Sequence, residues 1–364
     1  MSDLRYMLAL NFLPELGPVL ISRLLAAFGT PEGVFNASYT ELTRVDGIGK
    51  TRALAVAGFN NWDRIQREMD IASANNIQIL HINAPEYPES LRRIHAAPLI
   101  LYIRGRLQAD DKYAVAMVGS RRASAYGMNL AEKMAVKLAS SGLTVVSGMA
   151  RGIDTACHRG ALKGGRTIAV LGSGLDVPYP ASNVGLMKNI MKSGAVISEF
   201  PFGTSPLREN FPRRNRIISA LSLGVIVVEA ALDSGSLITV RYALEQNKDV
   251  FAVPGNVNSV NAKGTNDLIK KGARLVESAD EVIDELGSQL RGLMKCDVQA
   301  LKRKLPELSA EETAIFSFIN EEPKHIDTLV RASEINISKA LSLLMSLELK
   351  GAIRQTDGKC FMLN

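Results

Sequence analysis

A chain of 364 residues with 43 Lys and Arg, 37 Asp and Glu and 46% hydrophobic residues is long enough for two or three domains around a substantial core. Its 22% charged residues and 29 glycines exclude a disordered or collagen-like chain. Cys157, Cys296 and Cys360 lie far apart, and His81, His95, His158 and His325 are scattered. That spacing argues against a disulfide framework, a zinc ribbon or any metal site, and fits a reducing cytosol. No 18-residue apolar run occurs and Met1 does not open a signal peptide, so neither a membrane span nor secretion is expected. The net charge of +6 permits nucleic-acid binding without requiring it; where the charge sits decides.

Residues 1–70 read as short helices joined by glycine turns. Leu13-Pro14-Glu15-Leu16-Gly17-Pro18 precedes an apolar helix through Ile21, Leu24 and Leu25, and Leu42–Gly49 precedes another through Ala53, Leu54 and Ala57. The two halves resemble paired helix-hairpin-helix units, whose turn amides can accept a DNA phosphate; a purely packing module has the same pattern. Gly49-Lys50-Thr51 imitates a phosphate loop, but Arg44 occupies the position that needs the leading glycine.

From 71 to 288 apolar strands alternate with helices, the pattern of βαβ units. Strands are expected at Ile77–His81, Leu99–Ile103, Ala114–Val118, Thr144–Ser147, Thr167–Leu171, Ala195–Glu199, Gly224–Glu229 and Val250–Val253. Intervening helices fall near 127–140, 154–163, 184–193, 212–222, 236–247 and 264–272. The fold class is therefore α/β: a doubly wound, mostly parallel, Rossmann-like sheet, whose ligands sit beyond the carboxyl ends of the strands. Residues 289–306 are basic, end at Pro306 and read as a linker. Residues 307–364 read as a winged helix. One helix keeps Ile337, Ala340, Leu341, Leu344 and Leu347 on a face and stops at Gly351. Ile353–Thr356 and Cys360–Leu363 then flank an Asp357-Gly358 turn.

The strand-end loops carry the chemistry. Gly119-Ser120-Arg121-Arg122 offers free amides at a helix start and guanidinium donors, the components of an anion site. It lacks the remaining glycines of a dinucleotide fingerprint, and no acidic residue ends the next strand, so no nucleotide cofactor is expected. Gly148 and Arg151, before Asp154, repeat the arrangement; Asp154 would cap the helix, or pair with Arg151 to fix the turn. His158 reads as a capping or core residue. Gly174 belongs to a third glycine loop. Arg208, Arg213, Arg214 and Arg216 fall within nine residues, with Phe211 and Asn215 among them. Arg213 and Arg216 should face the strand ends, with Arg214 on the apolar side. A basic groove with an exposed ring suits single strands, guanidiniums on phosphates and the ring under a base. Ser234, Gly235 and Lys263 close the same edge. No paired His or reactive Cys and no nucleophile elbow accompanies them, and no catalytic residue is assigned.

These motifs, Gly119-Ser120-Arg121 with Tyr126-Gly127, Ser147–Asp154, Gly172–Asp176, Ser198–Pro201, Arg214-Asn215-Arg216, Ser234-Gly235-Ser236 and Val253-Pro254-Gly255, resemble in order those of the DNA-processing protein A family (DprA, also called Smf). The resemblance implies a bacterial cytoplasmic protein that is not an enzyme. It implies a homodimer that binds single-stranded DNA, protects incoming DNA and helps load a RecA-type recombinase during natural transformation (competence) and recombination. It implies strand contacts for Arg121, Arg208 and Phe211. A rival is a nucleotide phosphoribohydrolase on a similar scaffold, with Glu199 or Glu229 as its acid. A second is a sequence-specific regulator working through the winged helix. Residues 307–364 hold nine acids and six bases, net −3, whereas residues 1–306 hold 37 bases and 28 acids, net +9. An acidic module is a poor duplex binder, which favours a protein-contact or autoregulatory role for it.

Overall fold

The structure, a computed structural model, describes residues 2–290, 308–320, 324–333, 335–350, 352–356 and 358–363. The expected linker at 289–306, nearly all of it, and the turn residues Gly351 and Asp357 lie outside the described residues. The chain divides into two compact units, Met1–Leu290 and Arg291–Asn364.

The first unit opens with six helices: α1 (Ser2–Phe12), α2 (Pro18–Phe28), α3 (Pro31–Asn36), α4 (Tyr39–Leu42), α5 (Lys50–Ala57) and α6 (Trp62–Ala74). Proline at the first helical position, where its missing N–H is no loss, starts α2 and α3. Ser38 and Glu41 form a capping box on α4. The inward face of α5 is Ala53 and Val56; Leu54 is 53% exposed and Ala57 is also exposed, which corrects the expected face. The two hairpin turns are tied by side chains, Arg23 Nη1 to Asp46 at 2.6 Å and Arg52 to the carbonyls of Glu15 (3.1 Å) and Gly47 (3.0 Å).

The remainder holds β1 (Ile77–His81), α7 (Glu89–Arg92), β2 (Ile100–Gly105), β3 (Ala114–Val118), α8 (Ala125–Ser140), β4 (Thr144–Ser147), α9 (Ile153–Gly164), β5 (Thr167–Val170), α10 (Val184–Ser193) and β6 (Ala195–Ser198). It continues with α11 (Asn210–Ala220), β7 (Gly224–Val227), α12 (Ser236–Glu245), β8 (Asp249–Ala252), α13 (Lys263–Lys270), β9 (Arg274–Leu275) and α14 (Ala279–Glu285). The sheet order is β1-β2-β6-β5-β4-β3-β7-β8-β9. β3 to β9 and β6 run parallel, while β1 and β2 add an antiparallel edge. Both sheet faces are covered, which is why the central strands read as unbroken apolar runs. Ile100, Tyr102, Ala169 and Val196 join Met187 and Ile190 of α10, whereas Leu101, Ile103, Ile168 and Ile197 join Ile217 of α11 and Val240 of α12.

The chain winds outward from β3 through β4 and β5 to β6, then returns to lay β7 against the other side of β3. That reversal leaves a crevice beyond the carboxyl ends of β3 and β7, the position where open α/β sheets bind ligands. His158 is a core residue, not a cap: it is fully buried on α9 with Nδ1 2.7 Å from Thr167 Oγ1, and burial lowers its pKa to about 3.

The second unit has α15 (Ala310–Phe316), β10 (Lys324–His325), α16 (Ile326–Ser333), α17 (Ile337–Leu349), β11 (Ile353–Thr356) and β12 (Cys360–Leu363), with the strands ordered β10-β12-β11. This is a winged helix. Ala340, Leu344 and Leu347 pack into its core, but Ile337 and Leu341 are exposed, at 51% and 48%; the buried stripe is narrower than the apolar face read from sequence.

Candidate nucleic-acid interface

Beyond β3 the backbone turns through Gly119–Ser124 into α8. Ser124 caps α8, its hydroxyl accepting from Gly127 N at 2.9 Å. Ser124 in turn donates its N–H (2.8 Å) and its hydroxyl to the Glu229 carboxylate at the end of β7. Ser120 N also donates to the Glu229 carbonyl at 2.7 Å. Glu229 thus fastens the two lips of the crevice together.

Beyond β4, Asp154 accepts from Gly148 N and Ala150 N, both at 3.2 Å, and so closes the loop before α9. It neither caps α9, whose first residue follows Gly152, nor pairs with Arg151. Its charged partner is Arg214 of α11: burial raises the Asp154 pKa, and the Arg214 cation opposes that rise. Arg214 is itself 3% exposed, donates to the Val170 carbonyl at 2.5 Å, and has its pKa drawn down to about 10 by burial. Two glycines make this approach possible. A Cβ on Gly148 would overlap the Arg214 guanidinium, and Gly152, at φ +76°, runs against the Ser120 carbonyl. Removing one member of a buried pair of opposite charges leaves the other uncompensated and is costly, so the two hold the floor together.

Over this floor lies a cleft of about 910 Å³. Gly119, Ser120, Arg121 and Arg122 form one wall, Arg208, Phe211 and Asn215 another, and Asp233, Ser234, Gly235 and Ser236 before and at the start of α12 a third. Phe211 is not a free ring. The Arg121 guanidinium lies 4.9 Å and that of Arg214 6.0 Å from its centroid, and Tyr179 packs at 5.6 Å. Arg121, Arg122 and Arg208 are exposed. Asn261 donates to the Arg122 carbonyl at 2.9 Å and steadies that loop.

Nine of the residues singled out from sequence therefore line one cleft: Gly119, Ser120, Arg121, Arg122, Arg208, Phe211, Asn215, Ser234 and Gly235. Six do not. Gly148 lies under Arg214, Arg151 is exposed outside, and Gly174 is buried against Asp176 and Pro201. Lys263 is exposed at the start of α13 without lining the cleft. Arg213 and Arg216 turn the other way, to Glu199 at 3.8 and 2.5 Å. They do so because the apolar side of α11 packs on the strand ends, leaving its polar side to look away from them. Arg214, Asp154, Tyr179 and Asn261 belong to the cleft although sequence reasoning gave them no ligand role; the apolar neighbours of Arg214, Ile217 and Ile218, were the available signal. Neither Glu199, held by Arg216, nor Glu229, held by Ser124, lines it; the carboxylates that do are Asp154 and Asp233.

The fold and cleft define a Rossmann-like protein with a cationic, open groove at its switch point and a winged helix as a second unit. Residues 78–287 match the family described as DNA recombination-mediator protein A, residues 299–359 the DprA winged helix domain, and residues 7–57 the SAM-like helix-hairpin-helix tandem. The chain belongs to the DNA recombination-mediator protein A family, known as DprA or Smf. It is 34% identical to Protein Smf of Synechocystis sp. over 98% of both chains. The crystal structure of DNA processing protein A from Streptococcus pneumoniae is similar with TM-score 0.68 and 35% identity, over 77% of this chain and 97% of that one. A structure of DNA processing protein A from Helicobacter pylori, described for its single-stranded DNA binding mode, is similar with TM-score 0.54 and 30% identity, over 60% and 98%.

Proposed function

We propose that this protein binds single-stranded DNA in the switch-point groove and acts there as a recombination mediator, holding the strand for a RecA-type recombinase. The observation that carries this reading is that exposed Arg121, Arg122 and Arg208 line one cleft with the half-buried ring of Phe211, over which Arg121 lies at 4.9 Å. Guanidiniums and loop amides grip phosphates whatever the bases, and Phe211 with Tyr179 offers apolar surface to a base. The description of the Helicobacter pylori relative supports the same ligand. Binding, not catalysis, is the role inferred. A homodimer in the bacterial cytoplasm, working in transformation, fits the family; among the described residues no helix is long and apolar enough to cross a membrane. The working division is a helical domain over 1–70, the DNA-binding domain over 71–288, a linker over 289–306 and the winged helix over 307–364.

Titration of labelled single-stranded and duplex DNA at two or more salt concentrations tests the reading. The three exposed guanidiniums, neutralising about three phosphates, give a log–log salt slope of about −2, at about −0.7 per phosphate of a single strand. The single strand should bind more tightly than duplex. Equal affinity for both, or a slope near zero, would count against the groove.

The winged helix makes a second expectation. With a net charge of −3 it repels phosphate, and its role in this reading is contact with protein. A chain ending at residue 306 should keep single-strand affinity within about two-fold of the full chain, measured by the same titration; a large loss would assign the module to DNA.

A further inference from the structure

Arg213 and Arg216, on the flank of α11 turned away from the groove, line a second cleft of about 600 Å³ together with Arg93, His95 and Lys248. It lies between the segment after α7 and the C-terminal end of α12, and the carboxylate lining it is Glu245. Glu199 is buried behind it and serves two guanidiniums at once, Arg216 at 2.5 Å and Arg213 at 3.8 Å. Arg216 is 7% exposed, and its buried Nη1 has no hydrogen-bond partner. Lys248 is half-buried, and that burial lowers its pKa against the opposing pull of the neighbouring Asp249 carboxylate. Arg93 lies on the opposite wall, paired with Glu89 at 3.0 Å at the surface. A guanidinium N–H withdrawn from water without an acceptor is costly, and an anion in the cleft beside a half-buried ammonium would offset that cost.

We propose that this cleft is a second phosphate site, which takes the backbone of the same single strand after it leaves the groove. The proposal rests on the single-strand reading above. The two sites flank one helix, about 10–12 Å across with its side chains, and exposed Arg208 stands just before its first turn, where a strand would cross. At the mouth of the cleft Arg213, its side chain 56% exposed, stacks 5.3 Å from the Phe200 ring and presents planar donors to solvent. Such a fork suits a phosphate oxygen pair.

The test compares the wild-type full chain with a Lys248→Gln/Arg213→Gln variant on oligonucleotides of about 6 and about 20 nucleotides, bracketing single-strand site sizes. The variant is expected to bind the short strand like wild type and the long strand about ten-fold more weakly. Its salt slope on the long strand should be shallower by about 1.4, two phosphates at about 0.7 each. A melting curve matching wild type shows the fold intact. Equal weakening on both lengths would place the two residues in the groove, and no weakening on the long strand would leave the cleft without a phosphate; either result overturns the proposal. So does binding of inorganic phosphate or ADP that the variant loses while its long-strand affinity stays at the wild-type level, since that marks a small-anion site. Failure of the wild type to bind either strand overturns the single-strand reading itself, and the cleft with it.

Discussion

Arg121→Glu should weaken single-strand binding about a hundred-fold while leaving the melting temperature within about a degree of wild type. The side chain is exposed, stacks on Phe211 and makes no ion pair that the fold depends on. A charge-assisted hydrogen bond to phosphate contributes about 1.5–3 kcal/mol, and reversing the charge adds repulsion to that loss; about 2.7 kcal/mol is a hundred-fold in Kd. Arg208→Glu, also exposed and lining the same cleft, should act in the same direction. Fluorescence anisotropy with a labelled strand, beside a thermal melt, checks both. Two folded variants that bind normally would refute the assignment of this groove.

Arg214→Met is expected to fail in the opposite manner, through stability. Its removal leaves the Asp154 carboxylate buried without its cation, a loss of about 3–5 kcal/mol and a fall in Tm on the order of 10 °C. The pH dependence identifies the cause. Burial raises the Asp154 pKa above 3.8, and Arg214 is the chief cation restraining it. Without Arg214 the rise is larger, so the folded chain holds a proton that the unfolded chain has released. A carboxyl raised in this way stabilises the fold below its unfolded pKa and loses that contribution as pH climbs through the folded value. The deficit of the variant against wild type should therefore be smaller at pH 5 than at pH 8, measured by thermal melts across that range. A deficit that is constant, or that grows toward acid, would show that Arg214 stabilises by packing alone. Arg214→Lys, which keeps a cation, should recover part of the loss and keep a flatter pH profile.

Residues 71–288 were legible because buried parallel strands leave long apolar runs between turn glycines. Ala114–Val118 and Thr144–Ser147 stand where the sequence places them. The two-residue strand Arg274–Leu275 carries no periodicity to read, and the antiparallel edge made by Ile77–His81 and Ile100–Gly105 depends on pairing partners distant in sequence. The loop arginine Arg121 was recognisable from its place between a strand and a helix start. The arginine run was harder. Helical phase separates Arg214 from Arg213 and Arg216, and an apolar flank ordinarily signals a residue facing away from ligand. On α11 that flank packs on the strand ends, so the buried side is also the side that reaches the crevice. Sequence can give the phase of a helix, but which side meets the ligand depends on where the helix docks. Gly174 and Lys263 were chosen by proximity to strand ends, and there the chain bends away by distances that no local pattern encodes.

The buried Arg214–Asp154 pair and the exposed Arg121, Arg122 and Arg208 respond to dissolved ions on different scales. Surface charges are screened within about 8 Å at physiological salt, and more closely as salt rises, while a pair shut away from solvent is screened far less. Concentrated salt should thus strip a strand from the protein without dismantling the seat it occupied. Release and recapture then need no refolding step, and a sample cleared of adhering nucleic acid by salt is ready to bind again as soon as the salt is removed.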